Sequence, residues 1–269
     1  MPQHHSSLSG PELSSLLEFA VEIADSAGEL TLPYFGGTVA SSRKGDGTPV
    51  TMADREAERH LREKITRRFP HHGILGEELG QTDGRPGQPR WILDPIDGTR
   101  SFMKGVPLYA VLVALIVDDQ PVLGAIRFPA LQETVAAAQG QGCYLNGAHV
   151  SVSAVTEMDQ AVALLSDPGM MARSPVASGW AELQGRVDYT RSWGDAYGHA
   201  MVATGRAEIM VDPDDLKVWD AAPLLPIITE AGGRFTTLNA EATIWGGSGV
   251  STNGHLHRQA LAILEGEEP

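Results

Sequence analysis

From Pro11 onward, apolar residues recur at helical spacing. Leu13, Leu16, Leu17, Ala20, Val21, Ala24 and Ala27 fall on one stripe, and Pro11 suits a first turn, where its missing N–H is not needed. Pro33 closes this helix near Tyr34-Phe35. The stretch from Ser41 to Pro49 is polar and contains glycine, the pattern of a mobile loop. Thr51 then caps a second helix that runs to about Phe69 and stops at Pro70.

Short strands are predicted at Gly73–Gly76 and Trp91–Asp94. Strand-like runs follow at Tyr109–Val117, Val122–Arg127, Glu133–Ala138 and Gly142–Leu145, broken into antiparallel pieces by Pro129 and the Asn146-Gly147 turn. Beyond residue 160 the pattern alternates. Strand Ala161–Leu165, helix Ser174–Leu183, strand Val187–Tyr189, helix Gly194–Thr204 and strand Ala207–Val211 lead to a helix at Trp219–Ala231. Two short strands and a helix from Gly254 to Leu264 finish the chain. Alternation of this kind predicts α/β layering in the second half. The expected organisation is an antiparallel-rich α+β lobe over residues 1–155 and an α/β lobe over residues 156–269.

Composition narrows the chemistry. Acidic residues exceed basic ones by 34 to 20, which argues against a general attraction to nucleic acid or to an anionic membrane. The surplus serves solubility, or a site that must recruit cations. The single cysteine, Cys143, excludes an intramolecular disulfide and points to a reducing compartment. It precedes an Asn-Gly turn and reads as a small buried apolar residue rather than a nucleophile. Met1 to Ser7 has neither a basic segment nor an apolar core, and the longest apolar run, Val106 to Val117, is too short to span a bilayer. A cytoplasmic enzyme is expected.

The densest chemistry lies in Asp94-Pro95-Ile96-Asp97-Gly98-Thr99. Here two carboxylates, a proline-stiffened turn, a glycine and a hydroxyl follow the strand Trp91-Ile92-Leu93, with Glu77-Glu78 only seventeen positions before Asp94. Oxygen ligands crowded at a strand end suit hard divalent cations, and the combination reads as metal-assisted attack of water on a phosphate ester. Glu77, Asp94, the Ile96 carbonyl, Asp97 and Asp220 are candidates to converge on one cation cluster. Alternatives stand beside two of them: Glu77-Glu78 as a solvated turn, and Asp220 as the cap of the helix that follows. Asp94 and Asp97 would repel each other unless hydrogen bonds or a cation compensate.

Glu77-Glu78, Trp91 to Thr99, Trp219-Asp220-Ala221-Ala222 and Glu230-Ala231-Gly232-Gly233, together with the segment Lys44 to Asp54, resemble the inositol monophosphatase superfamily in order and spacing over nearly the whole chain. That resemblance implies a layered α/β/α/β/α sandwich and Mg²⁺-dependent phosphomonoester hydrolysis, with Mn²⁺ as a substitute. It assigns Glu77, Asp94 and the Ile96 carbonyl to one Mg²⁺, and Asp94, Asp97 and Asp220 to a second. A third, weaker ion would lie near Glu77, with Lys44 close by or simply solvated. Thr99 would orient the attacking water and donate to Asp54, so Thr99, Asp54 and Glu77 form the implied catalytic set. Asp97, Gly98 and Thr99 would contact the substrate, and no covalent phosphoenzyme is needed. Li⁺ inhibition and a homodimer are further implications.

Trp193-Gly194-Asp195-Ala196-Tyr197-Gly198-His199, with Val202 to Glu208, resembles the histidinol-phosphate phosphatase branch of that superfamily. Its substrate carries an ammonium and an imidazole, which carboxylates at Asp195 and Asp212 would bind through charge-assisted hydrogen bonds. The residues alone leave other roles open. Asp195 fits a helix cap, Asp212 before Pro213 a turn former, and His199 a packed helix histidine rather than a proton shuttle. Arg191 and Trp193 fit either a pocket lining or strand-end packing. Ser166-Asp167-Pro168-Gly169 departs from the threonine-rich segment of that branch, which leaves contacts from this loop undefined. The alternative enzyme is an inositol-1-phosphate or broad sugar-phosphate monophosphatase. A catalytically silent phosphate-binding protein is the rival from another class, and the intact ligand set and Thr99 argue against it.

Overall fold

The computed structural model describes residues 8–37, 41–43 and 49–266. Helix α1 (Gly10–Thr31) starts where the Ser9 N–H and hydroxyl both donate to the Glu12 carboxylate, at 2.9 and 2.6 Å, which anchors its first turn. Strands β1 (Ser41–Arg43) and β2 (Pro49–Thr51) pair antiparallel, so both ends of the segment expected to be a loop are strands. Lys44 and the closure of this segment over a substrate fall outside the described residues.

Helix α2 (Met52–Arg68) leads into β3 (Gly73–Gly76), β4 (Gly80–Thr82), β5 (Arg90–Asp97), the short helix α3 (Thr99–Met103) and then β6 (Ala110–Val117), β7 (Gln120–Phe128), β8 (Glu133–Ala138), β9 (Cys143–Leu145) and β10 (Ala148–Val150). The second half comprises β11 (Val162–Leu165), α4 (Pro168–Met171), α5 (Ala177–Arg186), β12 (Tyr189–Arg191), α6 (Ala196–Ala203), β13 (Ile209–Asp212), α7 (Val218–Glu230), β14 (Arg234–Thr236), β15 (Gly249–Thr252) and α8 (His257–Glu265). The three-residue strands β4 and β10 and the four-residue helix α4 are too short to leave a periodic signal. Strand β12 begins at Tyr189 rather than Val187, because the Val187 N–H still bonds to the Leu183 carbonyl at the end of α5.

Eight strands form one sheet in the order β10-β9-β8-β7-β6-β5-β3-β4, and five form another in the order β12-β11-β13-β15-β14. Side-chain parity builds the layers. In β6, Val111, Val113 and Leu115 turn to α1 and α2, meeting Phe19, Ile23 and Leu61, while Leu112, Ala114 and Ile116 turn the other way. That opposite face packs on α6 and α7 through Ala200, Leu224 and Ile228, and Met210 and Phe235 of the smaller sheet close the same cluster. Ile209 and Val211 face outward onto α5 and α8. The result is the expected α/β/α/β/α sandwich. A strand buried on both faces also explains why Ala110–Val117 is uniformly apolar rather than alternating.

Helix α7 lies against the larger sheet at Gly124. A Cβ there would stand 2.4 Å from the Pro223 carbonyl oxygen. Among the described residues no helix is long and apolar enough to cross a membrane. Cys143 is buried, and burial pushes its thiol up to about 12, as expected of a packing residue.

His257 ties α8 to the smaller sheet. It hydrogen-bonds through Nε2 to Thr236 Oγ1 at 3.1 Å and through Nδ1 to Thr252 Oγ1 at 3.0 Å. Burial, and then the nearby Arg234 charge, lower its pKa to about 4. In the unfolded chain the imidazole titrates near 6.5, so between these values only the unfolded state takes up the proton. The stability due to neutral His257 is therefore complete above about pH 6.5 and is lost as the pH falls toward 4, by at most about 3 kcal/mol. Urea unfolding of wild type and His257→Gln at pH 7 and pH 5 checks this. The stability difference between the two proteins shrinks at the lower pH.

Candidate active site

The carboxyl ends of the parallel strands converge on one cavity. Glu77 follows β3, Asp94 and Asp97 close β5, Ser166 follows β11, Asp195 lies beyond β12, and Asp212 ends β13. This is where α/β sheets offer free backbone ends and room for a ligand. A cavity of about 350 Å³ opens there, lined by Glu77, Asp97, Gly98, Thr99, Asp195, Asp212 and Asp220 among others.

Strict strand alternation would send Asp94 and Asp97 to opposite faces of the sheet. Strand β5 avoids this with a bulge. Asp94 pairs with Leu112 and Asp97 with Ala110, so three steps on β5 oppose two on β6. Pro95, which has no N–H to give, occupies the irregular stretch, and the Ile96 N–H turns back to Asp94 Oδ1 at 2.9 Å. Both carboxylates then face the middle helical layer, while Ile96 packs with Ala53, Phe102 and Tyr109 on the other side. The Glu77 N–H bonds to the Leu93 carbonyl at 3.1 Å, extending the β3–β5 pairing one step and setting Glu77 beside Asp94.

Asp220 arrives from α7. It lies inside the first turn, and its Oδ2 accepts the Lys217 N–H at 2.8 Å. The capping role and the cluster role expected of Asp220 therefore coexist. One oxygen each from Asp94, Asp97 and Asp220 lies within 4.8 Å of the others. Burial raises the Asp94 pKa well above the usual range, helped by the charges of Glu77, Asp220 and Asp97. Burial likewise raises Asp97, followed by the charges of Asp195 and Asp220, and pushes Asp220 up to about 7. Carboxyls arranged this way need either protons or a cation. A donor set made wholly of oxygen, at a strand end with water access, matches a hard divalent ion.

Thr99 opens α3 directly after Gly98, which holds a left-handed φ of 74°. A Cβ on Gly98 would also approach Asp195 Oδ2 to 2.9 Å, so glycine is required there by both conformation and space. The Thr99 hydroxyl donates to the Ile96 carbonyl at 3.1 Å. Asp54, in the first turn of α2, is fully buried.

Asp195 stands at the N-cap position of α6, but its side chain makes no capping bond. The Ala196 N–H goes instead to Asp97 Oδ2 at 2.8 Å, so Asp97 caps the helix from across the molecule. This frees the Asp195 carboxylate for the cavity. Its backbone is strained, with φ 55° and ψ −154°, and the Ser166 hydroxyl holds it by accepting the Asp195 N–H at 2.8 Å. Burial, then the charge of Asp212, pushes Asp195 up to about 6. Asp212 is more than a turn former. Its Oδ2 accepts from His199 Nε2 at 2.9 Å, and His199 Nδ1 meets Ser251 Oγ at 2.7 Å. Because a carboxylate only accepts, Nε2 is the donor in the bond to Asp212. His199 is thus the packed, buried helix histidine that the sequence allows.

Arg191 and Trp193 do not line the cavity; the Arg191 guanidinium lies over the Tyr189 ring. The Ser166–Gly169 segment does line it in part. Asp167 caps α4 through the Gly169 and Met170 N–H groups and pairs with Arg100 at 3.4 Å. Sequence reasoning gave Ser166 and Ser251 no role. The position of Ser166, just past a predicted strand end, was the signal available for it.

A model of the inositol monophosphatase family matches residues 12–267. The chain is 42% identical to histidinol-phosphatase of Chlorobaculum parvum, over 92% of this chain and 96% of that protein. It is 40% identical to histidinol-phosphatase of Mycobacterium tuberculosis, over 92% and 97% of the two chains. The crystal structure of extragenic suppressor protein suhB from Bartonella henselae superposes with a TM-score of 0.88 at 28% identity, over 93% of this chain and 98% of that one.

Asp94→Asn keeps the acceptor for the Ile96 N–H but removes one charge from the cluster. Without divalent ions its thermal midpoint rises, by roughly 2–4 °C for each kcal/mol of repulsion relieved. A divalent ion held by this cluster would stabilise wild type more than the variant. Calorimetry with and without chelator checks both signs.

Proposed function

This chain belongs to the inositol monophosphatase family, and we propose that it is a metal-dependent phosphomonoesterase acting on L-histidinol phosphate. The observation that carries this reading is an acidic wall, Asp195 and Asp212, that shares one cavity with Asp97 and Asp220 of the Asp94-Asp97-Asp220 cluster. Glu77, Asp94 and the Ile96 carbonyl would hold one Mg²⁺, and Asp94, Asp97 and Asp220 a second, with a third weaker site near Glu77; Mn²⁺ is an acceptable substitute. Bound there, the ions would lower the pKa of a coordinated water and offset charge on the phosphate and the departing alkoxide.

The protein's own groups supply orientation. Thr99 presents one hydroxyl proton, held by the Ile96 carbonyl in this structure, and Asp54 is its proposed acceptor during turnover, which turns the Thr99 lone pairs toward the attacking water. Gly98, with no side chain, lets a phosphate oxygen approach the N–H groups of Gly98 and Thr99. Asp97 serves twice, fixing α6 through the Ala196 N–H and facing the substrate. The strained Asp195 and the histidine-backed Asp212 would accept the ammonium and imidazole of the amino alcohol.

The rest of the cavity lining favours a cationic substrate over a second phosphate. Asp167, Asp214 and Asp215 line the cavity against two arginines, Arg100 and Arg173, and Arg100 is already paired with Asp167. The homologous histidinol-phosphatases support the same choice. The family match favours inositol 1-phosphate as the second reading. A small-molecule phosphate ester is the proposed partner in either case, with a homodimer and a cytoplasmic location as further proposals.

Phosphate release from histidinol phosphate and inositol 1-phosphate, measured side by side at saturating Mg²⁺, decides between the two. The expected kcat/KM is higher for histidinol phosphate by at least about tenfold, and equal values would remove the specificity assignment. Asp212→Asn retains an acceptor for His199 but not the charge. Losing one charge-assisted hydrogen bond lowers kcat/KM for histidinol phosphate by about 10–100-fold. Turnover of a small neutral ester stays within a factor of about three. Equal losses on both esters would contradict the role given to Asp212.

A further inference from the structure

The turn that carries Glu77 is only three residues long. Gly76 pairs with Gly80 across β3 and β4, which leaves Glu77, Glu78 and Leu79 between them. The Glu77 N–H is held by the Leu93 carbonyl. The other two N–H groups converge on Glu58 of α2: Glu78 N donates to Oε2 at 2.7 Å and Leu79 N to Oε1 at 3.2 Å. The Glu58 carboxylate is completely buried, and a Cβ on Gly76 would lie 2.1 Å from its Oε1, so it is packed directly beneath the residue before Glu77.

Arg62, one turn further along α2, secures the arrangement. Its Nε donates to Glu58 Oε1 at 2.7 Å, Nη1 reaches Thr82 Oγ1 at 3.0 Å, and Nη2 bonds to the Gly80 carbonyl. Asp54, Glu58 and Arg62 recur every four residues, so one stripe of α2 holds the proposed Thr99 acceptor and clasps the β3–β4 hairpin. A buried carboxylate costs free energy unless it is paired and hydrogen-bonded, and this one is satisfied by two backbone N–H groups of one turn and by Arg62. A solvated three-residue turn needs no such anchor. A turn whose first side chain must hold a fixed direction does.

We propose that Glu58 is a positioning residue for divalent-ion binding: through the Glu78 and Leu79 N–H groups, with Arg62 as its counter-charge, it fixes the turn that aims Glu77 into the cluster. This rests on the reading of Glu77 as a metal ligand, and the experiment separates the two. Mn²⁺ is titrated into the metal-stripped full-length protein, with free Mn²⁺ counted by electron paramagnetic resonance, and thermal midpoints are recorded without metal. Glu58→Gln keeps the volume but sets an N–H₂ against the converging donors and Arg62. It weakens Mn²⁺ binding about 10–100-fold, the range for groups that orient a ligand. A purely structural role would lower the midpoint and leave the Mn²⁺ affinity of the folded protein unchanged, which overturns the proposal. Glu77→Gln is the reference. If it weakens binding while Glu58→Gln does not, Glu58 has no positioning role. If neither weakens binding, the ligand assignment of Glu77 fails instead. Should Glu58→Gln not fold, Arg62→Lys decides, because lysine keeps the charge but cannot span Glu58, Thr82 and Gly80 together. Mn²⁺ binding several-fold weaker supports the proposal, and wild-type binding overturns it.

Discussion

Carboxylates of like charge, brought together where water is scarce, are the constraint around which this molecule is built. Burial and the charges of neighbouring carboxylates both oppose ionisation of Asp94, Asp97 and Asp220. The fold keeps them together with backbone donors: Ile96 N–H for Asp94, Ala196 N–H for Asp97 and Lys217 N–H for Asp220. Each bond fixes one oxygen and so directs the other. The three donors come from the larger sheet, from α6 and from the start of α7, so the cluster holds its shape only while the layers hold theirs.

That dependence shows in how much could be read from residues alone. The proposed ligands around Asp94 are contiguous in the chain, and a bulge with a proline in it leaves a plain written trace. Long elements such as α1, α2, β6 and α7 also declared themselves, because their apolar patterns run for several turns or for a whole strand. Other features arise only when distant segments meet. Asp97 caps α6 at a separation of 99 residues, and His199 reaches Ser251 at 52. No local pattern announces either. Asp195 is the clearest case. Its position before a helix suggests a cap, yet the cap is supplied by Asp97 and the residue is left in a strained conformation facing the cavity.

The two sheets divide the labour. The larger one presents its parallel pair, β3 and β5, at the cluster, and its central antiparallel strands β6, β7 and β8 are largely buried scaffolding. The smaller sheet delivers Ser166, Asp195 and Asp212 from its three parallel strands. Under the proposed function, phosphate chemistry and recognition of the alcohol would fall to different sheets facing one space. On that proposal, changes in the second sheet would alter which ester is accepted without disturbing the cluster, as expected where one scaffold serves several substrates.

Gly124 lies outside the cavity lining, yet it acts as the datum from which α7 is levelled. With no side chain on β7 at that point, the helix seats its Pro223 directly on sheet backbone, one turn from Asp220. Any residue with a Cβ would work as a shim, lifting the start of the helix and carrying the carboxylate out of alignment. The tolerance of the acidic cluster is thus machined at a remote spot, and the chemistry constrains a position that it never touches.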